Sequence, residues 1–341
     1  MRLVEQAMFW RRNMKPLFLA ATLAAAIFTL PTLSFAAAPE KPECVAPAKP
    51  GGGFDLTCRI IQTGMLESKV LEAPMQVTFM PGGIGAVAYN LFNTTRTDDP
   101  NAVVAFSSGS LLNIATGKYG EWTEKDARWV ATAGTDYGAV IVKADSPYKD
   151  LKSLMEALKA DPASIIIGAG GSVGSQDWMK AALLIKSVGA DPKKMRYVPF
   201  DGGGESIAAL LGGNIGVYTG DLAEMAAHLE AGTMRVLAVM HSERLPAPFD
   251  QIPTAKEQGY DVQWAIIRGY YMGKKTSDEA YNAWVDLFKK SFESDAFNKV
   301  VKDKGLFELK LTGKEMEDYV MQDVAKLRTL ATEMGLIEVK K

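Results

Sequence analysis

Histidine and cysteine are nearly missing from this chain: its 341 residues include two of each, His228 and His241, Cys44 and Cys58. Such scarcity excludes a conventional metal centre, because transition metals are held by clusters of three or four such ligands and these histidines stand apart from the cysteines. Past residue 36 no segment stays apolar for the roughly 20 residues that a membrane-spanning helix needs. Basic stripes are lacking too, and the formal net charge is −2, so neither nucleic acid nor a membrane surface is an expected partner. There is no low-complexity run and no solenoid period. What the chain does have is 48% hydrophobic residues and 31 glycines, enough for buried cores and many tight turns.

The first residues read as a targeting segment. Arg11, Arg12 and Lys15 precede the apolar run PLFLAATLAAAIFTL, and small residues follow at Ser34, Ala36, Ala37 and Ala38. This is the pattern of a signal peptide over residues 1–36 with cleavage after Ala36. A retained anchor would have to tolerate Pro31 and a short apolar run. Cleavage removes Arg2, Arg11, Arg12 and Lys15 against Glu5, leaving a more acidic chain. Export places that chain in an oxidising periplasm, where an even count of cysteines pairs. A Cys44–Cys58 disulfide is therefore expected over two independent buried thiols, and it would clamp the glycine loop of ECVAPAKPGGGFDLTCR.

One small unit recurs along the sequence: a short β-branched run, a glycine-rich turn, then apolar residues at helical spacing. It occurs in CVAPAKPGGGFD before Leu56 and Ile60, in MQVTFMPGGIG before Val87 and Leu91, in SIIIGAGGSVGSQD before Trp178 and Ala181, and in RYVPFDGGGE before Ile207 and Leu210. Further strands are predicted at 102–108, 138–143, 215–220 and 235–240, and Asp55 is placed to cap the first helix. Met316, Tyr319, Val320, Leu327, Leu330 and Met334 form one helical face, which reads as core packing. The fold class is α/β.

Four such turns have a chemical use. A helix starts with N–H groups that lack internal partners and with the positive end of its dipole, so it can hold an anion without a charged side chain. In parallel α/β sheets these starts open at the carboxyl edges of the strands and can converge on one ligand. Each turn taken singly is equally compatible with plain strand-to-helix packing. Carboxylates suit a convergent site, with hydroxyls from Ser107, Ser108, Ser110, Ser172 and Ser175. Gly109 lies among those serines and Gly203 and Gly204 form the fourth turn, while Lys49 is the one obvious cation nearby.

Catalytic alternatives are present but thin. Gly170-Gly171-Ser172-Val173-Gly174 fits the G-x-S-x-G nucleophile elbow, and Asp201 or Asp221 followed by His228 or His241 keeps the order of a serine hydrolase. Against that reading, His228 sits inside a helical stretch and Asp201 belongs to its own glycine turn. Gly83-Ile84-Gly85-Ala86-Val87-Ala88 resembles a dinucleotide turn, yet no acidic ribose partner follows a second strand. No cofactor is expected.

The segments ECVAPAKPGGGFDLTCR, VTFMPGGIGAVAYN, YVPFDGGGESIAALLGG and WAIIRGYYMG resemble the solute-binding proteins of tripartite tricarboxylate transporters over nearly the whole mature chain. The cysteine-flanked first segment is similar to the subgroup serving citrate and related tricarboxylates. The resemblance implies a two-lobed, type II-like flytrap with mainly parallel sheets and a hinge of crossover strands. Lobe 1 would be 37–138 plus 262–341 and lobe 2 would be 139–261. It implies a monomer that is not an enzyme and that hands a tricarboxylate to a large and a small membrane subunit. By the same resemblance the ligand carboxylate is held by Gly51, Gly52, Gly53, Phe54 and Asp55, by Gly82, Gly83, Ile84 and Gly85, and by Ser172, Val173, Gly174 and Ser175. Two departures stand out: Phe200-Asp201-Gly202 replaces a frequent Tyr-Lys-Gly, and Gly273-Lys274-Lys275 stands where a proline is common. An exported sensor binding the same ligand class would look alike.

Overall fold

The computed structural model describes residues 39–71 and 74–337, so the signal-peptide assignment lies outside the described residues. The chain opens with β1 (Glu43–Ala46), α1 (Gly53–Glu67), β2 (Gln76–Phe79), α2 (Ala86–Thr94), β3 (Ala102–Ser107), α3 (Ser108–Ala115) and β4 (Ala127–Tyr137). Next come β5 (Ala139–Lys143), α4 (Leu151–Ala160), β6 (Ile166–Gly170), α5 (Gln176–Ser187), β7 (Arg196–Phe200) and α6 (Gly203–Leu211). They are followed by β8 (Val217–Tyr218), α7 (Ala226–Glu230), β9 (Met234–Val239) and β10 (Ala265–Gly273). Three helices close the chain, α8 (Asp278–Phe292), α9 (Asp295–Asp303) and α10 (Gly313–Glu333).

Two five-stranded sheets result, in the orders β2-β1-β3-β10-β4 and β7-β6-β8-β5-β9. In the first, β1 runs parallel to β2 and β3, while β10 pairs antiparallel with β3 and β4. In the second, β6 runs parallel to β7 and β8, while β5 pairs antiparallel with β8 and β9. Four strands of each sheet therefore share a direction and the strand in fourth place opposes them. The fold is α/β and two-lobed, with mainly parallel strand direction. Strand β3, AVVAFS, is buried along its whole length, as expected for a strand covered on both faces.

A single residue, Gly138, separates β4 of one sheet from β5 of the other. Its N–H donates to Trp264 O at 2.9 Å, its carbonyl accepts from Met240 N at 2.7 Å, and Trp264 N donates to Met240 O at 2.9 Å. Three segments thus cross together, and a Cβ at Gly138 would stand 2.7 Å from Lys180 Cδ.

Below the first sheet, Cys44 of β1 and Cys58 of α1 form the expected disulfide, with Cα atoms 5.5 Å apart. The bridge is buried with Trp284 and Phe288 of α8. On the other face Phe106 and Trp129 meet edge to face at 4.8 Å, and α10 packs against α3 and β4 through Met316, Val320, Val324, Leu327 and Ala331. The four further strands lie at 102–107, 139–143, 217–218 and 234–239, each within a few residues of expectation. Asp55 differs from its expected role. Helix α1 starts at Gly53 with Gly52 in the cap position, so Asp55 lies in the first turn and accepts the Gly51 N–H from inside the helix at 2.9 Å. Cys58 accordingly falls in the second turn.

Candidate functional site

Helix starts α1, α3, α5 and α6 meet where the two sheets face each other, around a cavity of about 40 Å³, room for a few water molecules. Each follows the carboxyl end of a strand, so the chain enters every helix at the cavity and leaves it on the far side. Helices α1 and α6 have glycine at the cap and no side-chain cap, which leaves their first N–H groups uncommitted to side chains. Helices α3 and α5 are capped by Ser107 and Ser175.

Of the residues singled out in the sequence, Gly52, Gly53, Phe54, Ile84, Ser107, Gly109, Ser175 and Gly203 line this cavity. Gly51 and Asp55 instead border a separate groove of about 680 Å³. Gly82, Gly83 and Gly85 have positive φ and shape the turn behind Ile84, whose carbonyl accepts from Tyr119 Oη at 2.6 Å. Ile84 itself is left-handed at φ 51°, a strained conformation for a β-branched residue. Ser108 is committed elsewhere, its hydroxyl accepting Ile267 N–H at 2.9 Å. Ser172 and Val173 are exposed, Lys118 Nζ donates to Val173 O at 2.9 Å, and Gly174 packs near Leu336. Gly204 packs against the first half, where a Cβ would stand 2.2 Å from Pro50 O.

The triad alternative does not assemble. Ser172 Oγ has Lys118 Nζ at 3.5 Å, whereas His228 Nδ1 pairs with Thr233 Oγ1 at 3.3 Å and His241 Nδ1 with Glu243 O at 2.7 Å. Lys49 ion-pairs with Glu205 on the surface, and a Cβ at Gly52 would stand 2.9 Å from Gly204 N. The starts of α1 and α6 therefore abut, two positive dipole ends in near contact.

The strongest charges at the site lie in a buried network of which sequence reading named only Asp221, and that as a possible triad acid. Arg268 of β10 donates through Nε and Nη2 to Asp136 Oδ2 at 3.1 and 2.8 Å, and through Nη2 to Asp221 Oδ2 at 2.7 Å. Lys180 Nζ donates to Asp221 Oδ1 at 2.6 Å and Gly220 O at 2.7 Å, and pairs with Asp177 Oδ1 at 2.8 Å. Arg268 links the two halves because Asp136 sits on β4 and Asp221 follows β8. Its guanidinium lies over Gly53, where a Cβ would be 2.2 Å from Nη1. Lys49 is thus a solvated loop lysine, and the cation that lines the cavity is Arg268. An arginine set inside the apolar strand AIIRGYYMG was the available signal, since such a residue is buried only when paired.

Burial raises the Asp136 and Asp177 carboxyls, opposed by Arg268 and Lys180 respectively. Burial acts on Asp221 in the same sense, but Lys180 and Arg268 together outweigh it and hold the group below its ordinary range. Glu224 has less compensation. Burial, reinforced by the Asp221 charge, pushes it up to about 8, so it is mainly protonated at neutral pH. Its Oε2 accepts from Tyr218 Oη at 2.5 Å, and its carboxyl group borders the cavity. Gln176 lines the cavity as well. Neither Glu224 nor Gln176 gave a sequence signal.

The model of the tripartite tricarboxylate transporter family receptor matches residues 58–336. A UPF0065 protein in the gbd 5' region of Cupriavidus necator is 24% identical over 291 residues, covering 85% of this chain and 86% of that one. The periplasmic binding protein BugD superposes with a TM-score of 0.78 at 19% identity, covering 87% of this chain and 99% of its own. MatC from Rhodopseudomonas palustris, solved with bound malate, gives 0.72 at 19% identity over 85% and 98%.

Proposed function

Because this chain belongs to the tripartite tricarboxylate transporter receptor family, whose model spans residues 58–336, we propose that it captures a tricarboxylate such as citrate for delivery to the transporter's large and small membrane subunits. The family consists of periplasmic solute-binding proteins rather than enzymes. Export by residues 1–36, action as a monomer, and lobes of 37–138 plus 262–341 and 139–261 belong to the same proposal.

The observation that carries the reading is the convergence of four helix starts on one cavity lined by Arg268. An anion there meets N–H groups from both halves, and it neutralises the apposed positive ends of α1 and α6. Each exposed helix end contributes about 0.3–1 kcal/mol, and up to about 2 when partly buried. Micromolar affinity, about 8 kcal/mol, therefore takes several ends acting together with water excluded. The present cavity of about 40 Å³ is smaller than any tricarboxylate, so uptake requires the halves to part. We place the pivot at the crossing of Gly138, Met240 and Trp264, where the connecting segments are hydrogen-bonded to one another. Occupancy then shifts the population of parted and closed forms.

Titration calorimetry with citrate, tricarballylate, cis-aconitate, succinate, glutamate and terephthalate tests the reading. Saturable binding by the tricarboxylates is expected. Binding confined to dicarboxylates or aromatic acids would move the ligand class, and no binding by any carboxylate would retire the proposal.

A further inference from the structure

The cavity also contains an acceptor that a carboxylate group cannot satisfy. Gln176, the first residue of α5, is 6% exposed and lines the cavity. Its Nε2 donates to Asp221 Oδ1 at 3.3 Å and lies 3.5 Å from Oδ2. Asp221 is held ionised by Lys180 and Arg268, and a carboxylate can only accept. The amide orientation is therefore fixed, with nitrogen toward Asp221. Oε1 is buried and has no partner among the described residues.

A buried carbonyl oxygen without a donor costs more than a hydrogen bond ordinarily contributes. A water molecule can serve it while the cavity is empty. A ligand that displaces the water without replacing its donor loses affinity. Resting on the carboxylate reading above, we propose that Gln176 selects carboxylates that carry a hydroxyl or ammonium group beside an acid group, with that group donating to Gln176 Oε1. Helix starts and Arg268 take the acid group, and Gln176 takes the neighbouring donor. Citrate meets both requirements; tricarballylate, the same skeleton without the hydroxyl, meets only the first.

Calorimetry on matched pairs tests this directly: citrate with tricarballylate, malate with succinate, and aspartate with succinate. The donor-bearing member of at least one pair should bind about ten- to a hundredfold more tightly. The malate and aspartate arms separate hydroxyl from ammonium. In Gln176→Met the preference should collapse, the two members of each pair binding within about threefold of each other. Equal affinities within every pair would overturn the inference while leaving the carboxylate reading intact, as would a preference that survives Gln176→Met. Failure of every carboxylate to bind would overturn both. Should Gln176→Met prove unfolded by circular dichroism, the matched pairs on the unmodified protein still decide.

Discussion

The two halves share one strand plan and meet the cavity with different chemistry. Both halves offer main chain, Gly52, Gly53 and Gly109 from the first and Gly170, Gly202 and Gly203 from the second; the first adds the cation Arg268, and the second adds the side chains of Gln176, Asp177, Asp221 and Glu224. Only the first is stapled, by Cys44–Cys58, which fixes the backbone amides it presents. A closed loop of this size is worth about 3 kcal/mol in the chain-entropy model. Main chain shared by both halves holds an anion, as rigid backbone does for any carboxylate, whereas choosing among anions needs the side chains in which the halves differ. Ion pairs from Arg268 to Asp136 in its own half and to Asp221 in the other join the two tasks.

Breaking that joint should have the largest effect. Arg268→Met leaves Asp136 and Asp221 short of their buried partner, and urea unfolding should report a loss of about 3–5 kcal/mol. A loss below about 1 kcal/mol would mean the halves do not depend on this link. Gly204→Ala is aimed at closure alone: the residue lies in α6 with ordinary helical backbone, but the added methyl would meet Pro50 O at 2.2 Å. Overpacking of this kind costs about 1–3 kcal/mol, so citrate affinity should fall at least about fivefold while the melting temperature of the free protein changes little. Unchanged affinity would show that the halves need not touch in the bound form.

An effect graded with pH sharpens the contrast in side chains. Glu224 faces Asp221, Asp177, Arg268 and Tyr218, and its folded value of about 8 stands above an ordinary 4.5. Between these values the folded protein keeps a proton that the unfolded chain releases. Its contribution to stability is therefore full below about 4.5 and is lost as pH rises through about 8. Glu224→Gln keeps the neutral form at every pH. Unfolding measured from pH 5 to pH 8 should find the unmodified protein losing up to about 1.4 kcal/mol per pH unit relative to the variant. Parallel curves would place the titration elsewhere in the network.

The fold was legible because its signals are local. Each strand–glycine–helix unit writes its own periodicity, and two cysteines in a chain expected to be exported leave one pairing. Half-formed knowledge of the site came the same way: Gly52, Gly53 and Gly203 are turn residues and announce themselves, although which turn residues reach the cavity and which stand behind it, as Gly82 and Gly85 do, depends on packing. The network was illegible for a physical reason. Asp136 and Arg268 are separated by 132 residues and acquire their meaning only when β4 and β10 pair. Gln176 and Glu224 sit at or near helix starts, where polar residues are ordinary, and nothing in their spacing distinguishes a ligand acceptor from a solvated side chain.

The placement of β10 between β3 and β4 sets an order of assembly. All five strands of the second sheet lie within residues 139–239, so a chain emerging from its N-terminus can finish that sheet as soon as β9 appears. The first sheet has contributed four strands by residue 137 and still lacks the one that joins β3 to β4 until residue 273 is free. The half that starts first is the last to be completed, and it waits on a long-range pairing of the kind that slows folding. Withdrawing that strand would split the first sheet through its interior and leave every strand of the second in place.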